Sequence, residues 1–132
     1  MKKRIKVVAA IIENNNHEIL CALRSPIMSM GNHWEFPGGK IEIGEDYKEA
    51  IEREIREELD CKIEFNSVYN ENTYEYDNFI VELFSIKCNL VFGTPKASEH
   101  SKLIWLKREN LKSLVWAPAD LAAVDQLTKE EI

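Results

Sequence analysis

The chain has 132 residues, 45% of them hydrophobic, and a formal net charge of −6. This length predicts one domain over residues 1–132, because no linker, repeat or low-complexity segment divides it. An acidic chain lacks the basic surface that attracts nucleic-acid polymers and anionic membranes, so we expect neither as a partner. The three scattered cysteines favour reduced thiols and a cytoplasmic location, and no apolar run is long enough to span a membrane.

Two strands are predicted at the start of the chain. Residues 5–12 are rich in Val and Ile without sustained polar alternation, which predicts a largely buried strand. The asparagine turn at 14–16 separates it from a second strand at 18–23. A Ser-Pro pair then opens a loop over residues 25–31, which leads into the sequence Trp-Glu-Phe-Pro at 34–37.

A helix is predicted after a pair of glycines, Gly38 and Gly39. Asp46 and Glu49 have the spacing of a capping box, which marks the start of that helix. Further strands are predicted at residues 63–70, 73–76, 79–91 and 103–106. A C-terminal helix begins within residues 116–120, with Pro118 in its first turn and Leu121, Val124 and Leu127 on its inner side. Strands around two helices predict an α/β (α+β) layered domain.

Three carboxylates occupy one face of the first helix. Glu54, Glu57 and Glu58 stand at i, i+3 and i+4, so their side chains project together. Like charges at this spacing repel unless they share a cation, and Mg²⁺ prefers such oxygen ligands. Taken alone, the pattern is more typical of a solvated acidic face.

The longer segment around these residues resembles the Nudix box. That motif has a glycine, five residues, Glu, seven residues, and then Arg-Glu-(aliphatic)-x-Glu-Glu-x-Gly-(aliphatic). The positions that match are Gly39, Glu45, Arg53, Glu54, Ile55, Glu57 and Glu58. Asp60 and Cys61 depart from the last two positions, where the motif has glycine and an aliphatic residue. The resemblance implies the Nudix fold, a mixed β-sheet between α-helices, over nearly the whole chain.

The resemblance also implies a metal site. It makes Glu54, Glu57, Glu58 and the Gly38 carbonyl ligands of Mg²⁺, with Mn²⁺ as a substitute. Arg53 would clamp a carboxylate in ligand geometry, although a surface pair with Glu49 or Glu57 is the alternative. Glu99 matches a catalytic or metal-binding Glu of MutT-like members, so it is a candidate general base or extra ligand. As a lone loop residue it would otherwise face solvent.

Substrate contacts are implied at five positions. Arg24 and Lys40 match phosphate-contacting positions of MutT-like enzymes, and Gly39 allows close backbone approach. Phe36 is a candidate wall of a base pocket and Asp120 a candidate base-recognition residue; the alternative for Asp120 is a first-turn acid that complements the helix dipole. Ile5 and Val7 are either pocket wall or core. His33 and His100 are expected to be surface or packing histidines.

The predicted function is that of a hydrolase. Residues 34–42 resemble the MutT branch, which converts oxidised nucleoside triphosphates to monophosphates and pyrophosphate, and residues 116–121 resemble its CTP pyrophosphohydrolase-like members. An ionised Asp120 would accept from cytosine N4, and a protonated one would also suit 8-oxoguanine. The alternatives are another diphosphate substrate such as ADP-ribose, or a non-catalytic nucleotide-binding domain. The partner is a small nucleotide, and the chain is a monomer or a homodimer.

Overall fold

The structure, a computed structural model, describes residues 2–28 and 30–130. The helices and strands within these ranges are β1 (Lys3–Ile12), β2 (Glu18–Leu23), β3 (Trp34–Glu35), β4 (Gly38–Lys40), α1 (Tyr47–Leu59), β5 (Lys62–Glu75), β6 (Phe79–Phe92), β7 (Lys102–Lys107) and α2 (Leu121–Lys129). Short 3₁₀ helices cover Arg108–Ser113 and Pro118–Asp120. In the described part of the chain, no helix is long and apolar enough to cross a membrane.

Two sheets form the framework. The first has the strand order β4-β1-β6-β5, in which β1 runs parallel to β6 and antiparallel to β4. The second has the order β3-β2-β7 and is antiparallel. The predicted mixed sheet between helices is therefore confirmed as the four-stranded sheet, and a three-stranded sheet accompanies it.

Strand β1 is covered on both faces, which explains why its sequence lacks polar alternation. Ala9 and Ile11 pack in one core cluster with α2, through residues that include Val124 and Leu127. The alternate residues Val8, Ala10 and Ile12 pack in the other cluster with Ala50, Ile51, Ile55 and Leu59 of α1. Side chains of successive strand residues point to opposite faces, so β1 forms the centre of a sandwich between the two helices.

The ends of α1 follow from local sequence. Asp46 and Glu49 form the predicted capping box, in which the Asp46 carboxylate accepts from the Glu49 N–H at 2.8 Å. Asp60 closes the helix in the left-handed conformation, at φ 52° and ψ 43°, although glycine adopts this conformation more easily. Cys61 is buried in the core cluster under α1, where its thiol takes the place of an aliphatic side chain.

Three local predictions were wrong. Residues 62–75 form one strand, β5, rather than two, because pairing with β6 continues in unbroken register across the polar residues 70–72; the register shifts lie earlier, between residues 62 and 70. Strands β3 and β4 were not predicted, since their sequences are too short to carry a periodic pattern. Leu121 was expected on the inner side of the last helix, but it is 44% exposed, whereas Val124 and Leu127 are buried.

Candidate active site

Arg53 ties the glycine segment to helix α1. Its Nε and Nη2 donate to the two oxygens of Glu45 at 2.6 and 2.9 Å, and this pairing lowers the pKa of Glu45 to about 2. Its Nη2 also donates to the Lys40 carbonyl at 3.1 Å. Its Nη1 donates to Glu54 at 2.8 Å and to Glu57 at 3.2 Å. The pair with Glu57 is one contact of several, so Arg53 forms an internal clamp rather than an isolated surface ion pair.

Glu58 differs from the other two carboxylates of α1. Its Oε2 atom is buried without a hydrogen-bond partner. Burial, the negative charge of Glu54 and a hydrogen bond shared with Glu54, together with the charges of Glu35 and Glu99, raise the pKa of Glu58 to about 9. A buried carboxyl oxygen without a partner is costly, and an adjacent cation would remove that cost. The environment of Glu58 is more typical of a metal ligand than of an acidic residue on a solvated helix face.

The metal site is not preformed by convergent side chains. In residues 2–28 and 30–130, no three carboxylate, imidazole or thiol groups lie close enough together to hold a metal ion. Glu54 and Glu57 instead both accept from Arg53. The donor set nevertheless fits a hard divalent cation, since it offers carboxylate oxygens and an orphaned oxygen of Glu58.

The two glycines place backbone where side chains would not fit. A Cβ atom on Gly38 would lie 1.9 Å from the Val8 carbonyl oxygen, because β4 pairs closely with β1. A Cβ atom on Gly39 would lie 2.3 Å from a carboxylate oxygen of Glu54. Gly39 thus keeps the Glu54 carboxylate in contact with the backbone of β4.

A cavity of about 410 Å³ opens on the other side of the glycine pair. Its walls are mostly apolar, and Phe36 packs against Trp116 with 4.8 Å between ring centroids. The predicted residues that line it are Ile5, Val7, Arg24, Phe36, Gly38, Gly39, Lys40 and Asp120. Tyr76 and Phe79, which sequence reasoning missed, also line it. They flank the turn between β5 and β6, where the Tyr76 N–H donates to the Phe79 carbonyl at 2.8 Å, and no local signal identified them as cavity residues.

Asp120 is buried at the cavity. Its Oδ2 accepts from the Phe36 backbone N–H at 3.0 Å, and it makes no capping bond to α2. Asp120 does stand at the N-terminus of α2, where the helix-dipole alternative placed it, but its side chain bonds to Phe36 instead of capping the helix. Burial and the negative charge of Glu35 raise the pKa of Asp120 to about 8, although the Phe36 N–H and Arg24 act in the opposite direction. At neutral pH this carboxyl group is protonated in most molecules, so it is able to donate a hydrogen bond as well as accept one.

Glu35 links the cavity to the loop that carries Glu99. Its Oε1 accepts from Arg24 Nη1 at 2.9 Å, and its Oε2 accepts from His100 Nε2 at 2.7 Å. His100 is buried, as expected of a packing histidine, but it contacts the charged Glu35, a partner that the sequence did not reveal. Glu99 itself is exposed, and it is near enough to Glu58 to raise that group's pKa. His33 is half-buried and contacts the Gly31 carbonyl at 3.2 Å, away from these groups.

Comparison with known proteins identifies the family to which this fold and its carboxylate site belong. Residues 3–131 match the family model of the NUDIX domain. The chain is 35% identical to the CTP pyrophosphohydrolase of Escherichia coli K12, over 93% of this chain and 90% of the relative. It is 29% identical to the 8-oxo-dGTP diphosphatase of the same organism, over 96% and 98%.

A solved structure agrees with these matches. The solution NMR structure of the DNA mismatch repair protein MutT from methicillin-resistant Staphylococcus aureus 252 is 45% identical, covers 99% of this chain and 100% of its own, and has a TM-score of 0.80. The chain belongs to the Nudix hydrolase family. Hydrolases of this family generally need a divalent metal ion, and its members similar to this chain are named for small nucleotide substrates.

Proposed function

We propose that the protein is a Mg²⁺-dependent nucleoside triphosphate pyrophosphohydrolase of MutT type, which releases nucleoside monophosphate and pyrophosphate. The observation that carries this proposal is the position of Gly39. It lines the apolar cavity, and a Cβ atom added to it would lie 2.3 Å from a carboxylate oxygen of Glu54. A nucleotide whose base fills the cavity would therefore extend its phosphates toward the carboxylates of α1.

The residues of the site have distinct roles in phosphoanhydride hydrolysis. Glu54, Glu57 and Glu58 would hold the cation with the Gly38 carbonyl, and Arg53 orients Glu54 through their 2.8 Å contact. When bound, Mg²⁺, with Mn²⁺ as a substitute, would supply positive charge for the phosphate oxygens and would lower the pKa of a water molecule. Glu99 serves as general base or as an extra ligand.

The proposed reaction breaks one of the two bonds to the oxygen that bridges the α and β phosphorus atoms. Water attacks one of these two inner phosphorus atoms, its proton passes to the general base, and the group on the other phosphorus leaves with the bridging oxygen. Arg24 and Lys40, the two cationic side chains of the cavity lining, hold the phosphates in place. Because the chain is acidic overall, these fixed cations and the metal together must offset its repulsion of the substrate.

Base recognition is assigned to Asp120 and Phe36. Phe36 and Trp116 offer an aromatic surface, and the buried Asp120 faces the polar edge of the base. A protonated Asp120 donates to a carbonyl such as O6 of 8-oxoguanine and also accepts from an amino group such as cytosine N4. Relatives named for both kinds of nucleotide support keeping both bases in this proposal.

A substrate panel tests the proposal. Purified protein would be incubated with normal and oxidised dNTPs and NTPs and with ADP-ribose, with Mg²⁺ or with EDTA, and pyrophosphate and orthophosphate would be measured separately. We expect Mg²⁺-dependent pyrophosphate release from a cytidine or an oxidised guanosine triphosphate. Preferential cleavage of ADP-ribose, or nucleotide binding without any cleavage, would contradict the proposal in favour of one of the two alternatives.

A further inference from the structure

His100 is the buried residue of the loop between β6 and β7. Its side chain is 2% exposed, and its Nε2 donates to Glu35 Oε2 at 2.7 Å. The second oxygen of Glu35 accepts from Arg24, whose side chain lines the cavity. A buried hydrogen bond to a carboxylate is stronger than an exposed one and costly to leave unmade, so this contact fixes the loop in one position.

The same loop is fixed to the end of α1 on its other side. The Lys96 N–H donates to the Leu59 carbonyl at 2.9 Å, and the Ser98 hydroxyl donates to the Glu58 carbonyl at 2.6 Å. After His100, the Ser101 N–H donates to the Leu23 carbonyl at the end of β2 at 3.0 Å. The loop therefore bridges α1 and the second sheet, and Glu99 stands between the two anchored segments.

Charge alone would not hold Glu99 there. Its carboxylate lies near Glu58 and, with Glu54 and Glu35, adds to the negative charge that raises the pKa of Glu58. The exposed Glu99 carboxylate gains no stabilisation from these acidic neighbours, which favours its movement away from α1. The position of Glu99 must therefore depend on bonds made by its neighbours, of which His100 makes the buried, charge-assisted one.

We propose that His100 is a positioning residue that sets Glu99 against the carboxylates of α1 by anchoring the loop to Glu35. Through the same Glu35 carboxylate, the loop is tied to Arg24 at the cavity. The inference rests on the proposed function, because Glu99 matters only if hydrolysis occurs at α1. It adds to that function a residue that touches neither the substrate nor the cation.

A double-mutant cycle tests the connection to Glu99. We expect His100→Asn to lower kcat about tenfold or more with little change in KM, because Asn is too short to reach Glu35. If His100 acts through Glu99, the double variant Glu99→Gln/His100→Asn should be no slower than Glu99→Gln alone, to within about threefold. If the loss of kcat in the double variant equals the product of the losses in the two single variants, the proposal would be overturned.

Rescue by a conservative variant separates positioning from simple packing. The amide nitrogen of Gln is able to occupy the place of Nε2, so His100→Gln should keep most of the kcat that His100→Asn loses. His17→Asn is the matched control, since His17 is exposed and has a positive φ of 61° that suits Asn. Equal losses in His100→Gln and His100→Asn would contradict a role based on the bond to Glu35.

A measurement without metal or substrate keeps the inference independent of the proposed function. Amide hydrogen exchange at Lys96 and Ser101 in the metal-free protein should be about tenfold faster in His100→Asn and near the wild-type rate in His100→Gln. Unchanged exchange in His100→Asn would overturn the anchoring role. A wild-type enzyme that cleaves no nucleotide would contradict the proposed function, whereas normal cleavage by His100→Asn would contradict this inference alone.

Discussion

At the scale of single residues, two buried carboxyl groups define the two halves of the site. Burial is the main cause that raises the pKa of Glu58 to about 9 and of Asp120 to about 8. Asp120 has a hydrogen-bond donor in the Phe36 N–H, whereas Glu58 Oε2 has no partner. The arrangement at Asp120 suits recognition of a neutral base. The arrangement at Glu58 suits a cation, because a cation would satisfy the oxygen that has no partner.

The raised pKa of Glu58 makes the stability of the metal-free protein depend on pH. Its folded pKa of about 9 lies above the ordinary value of 4.5, so ionisation costs stability increasingly as pH rises from 4.5 toward 9. Glu58→Gln removes this cost. We expect the Tm of the metal-free variant to exceed that of the wild type by about 2 °C or more at pH 8, with a smaller difference at pH 5.

Calorimetry in EDTA at both pH values measures this difference. Glu64→Gln is the matched control, since Glu64 is exposed on β5. Added Mg²⁺ should raise the Tm of the wild type and leave that of Glu58→Gln nearly unchanged. A Tm difference between Glu58→Gln and the wild type that does not vary with pH would contradict the origin proposed here for the raised pKa.

The protonation of Asp120 predicts a pH-dependent base preference. Below a pH of about 8 its carboxyl group is mostly protonated and able to donate to a carbonyl, and above that pH it only accepts. The ratio of kcat/KM for 8-oxo-dGTP to that for dCTP should therefore fall as pH rises through 8. In Asp120→Asn the ratio should change in size and lose its pH dependence. Asp125→Asn, an exposed change on α2, should behave like the wild type.

At the scale of elements, strand β4 connects stability and chemistry through two adjacent glycines. Gly38 pairs with Ala9 and Gly39 with Val8, so both residues belong to one antiparallel contact with β1. Their neighbours nevertheless differ, because an added Cβ on Gly38 meets rigid backbone and one on Gly39 meets the end of a flexible side chain. Backbone of a central strand yields less easily than a carboxylate.

Alanine at these two positions should separate folding from function. Gly38→Ala places its Cβ 1.9 Å from the Val8 carbonyl oxygen, so we expect a Tm lower by about 5 °C or more. Gly39→Ala displaces the Glu54 carboxylate, so we expect a Tm within a few degrees of the wild type and a kcat at least about tenfold lower. Thermal melts and steady-state assays of both variants decide this. Equal losses of stability in the two variants would contradict the assignment.

At the scale of the whole molecule, the sequence patterns predicted those features that depend on residues close together in the chain. The spacing of Glu54, Glu57 and Glu58, the capping box and the buried strand β1 depend on residues a few positions apart, and helix and strand periodicity predicts such features. The extent of β5 and the existence of β3 and β4 depend on pairing with distant strands, which no local pattern encodes.

The candidate site divides in the same way. Its carboxylates were predicted from one helix, but the hydrogen bond of Phe36 to Asp120 joins residues 84 positions apart. The contact between His100 and Glu35 spans 65 positions, so the partner of His100 was not predicted. Glu35 stood next to Phe36 in the segment that resembled the family, and a charged residue between two aromatic ones was the available signal.

The most direct test of the central claim is ³¹P NMR of the reaction in H₂¹⁸O, with the preferred nucleoside triphosphate and Mg²⁺. We expect pyrophosphate and nucleoside monophosphate as the products, with one isotope label in the product whose phosphorus the water attacks, so the position of the label identifies that phosphorus. Glu57→Gln should lower the rate by about a hundredfold or more, and Glu64→Gln should not change it. Orthophosphate and nucleoside diphosphate as products, or an unchanged rate in Glu57→Gln, would contradict the account.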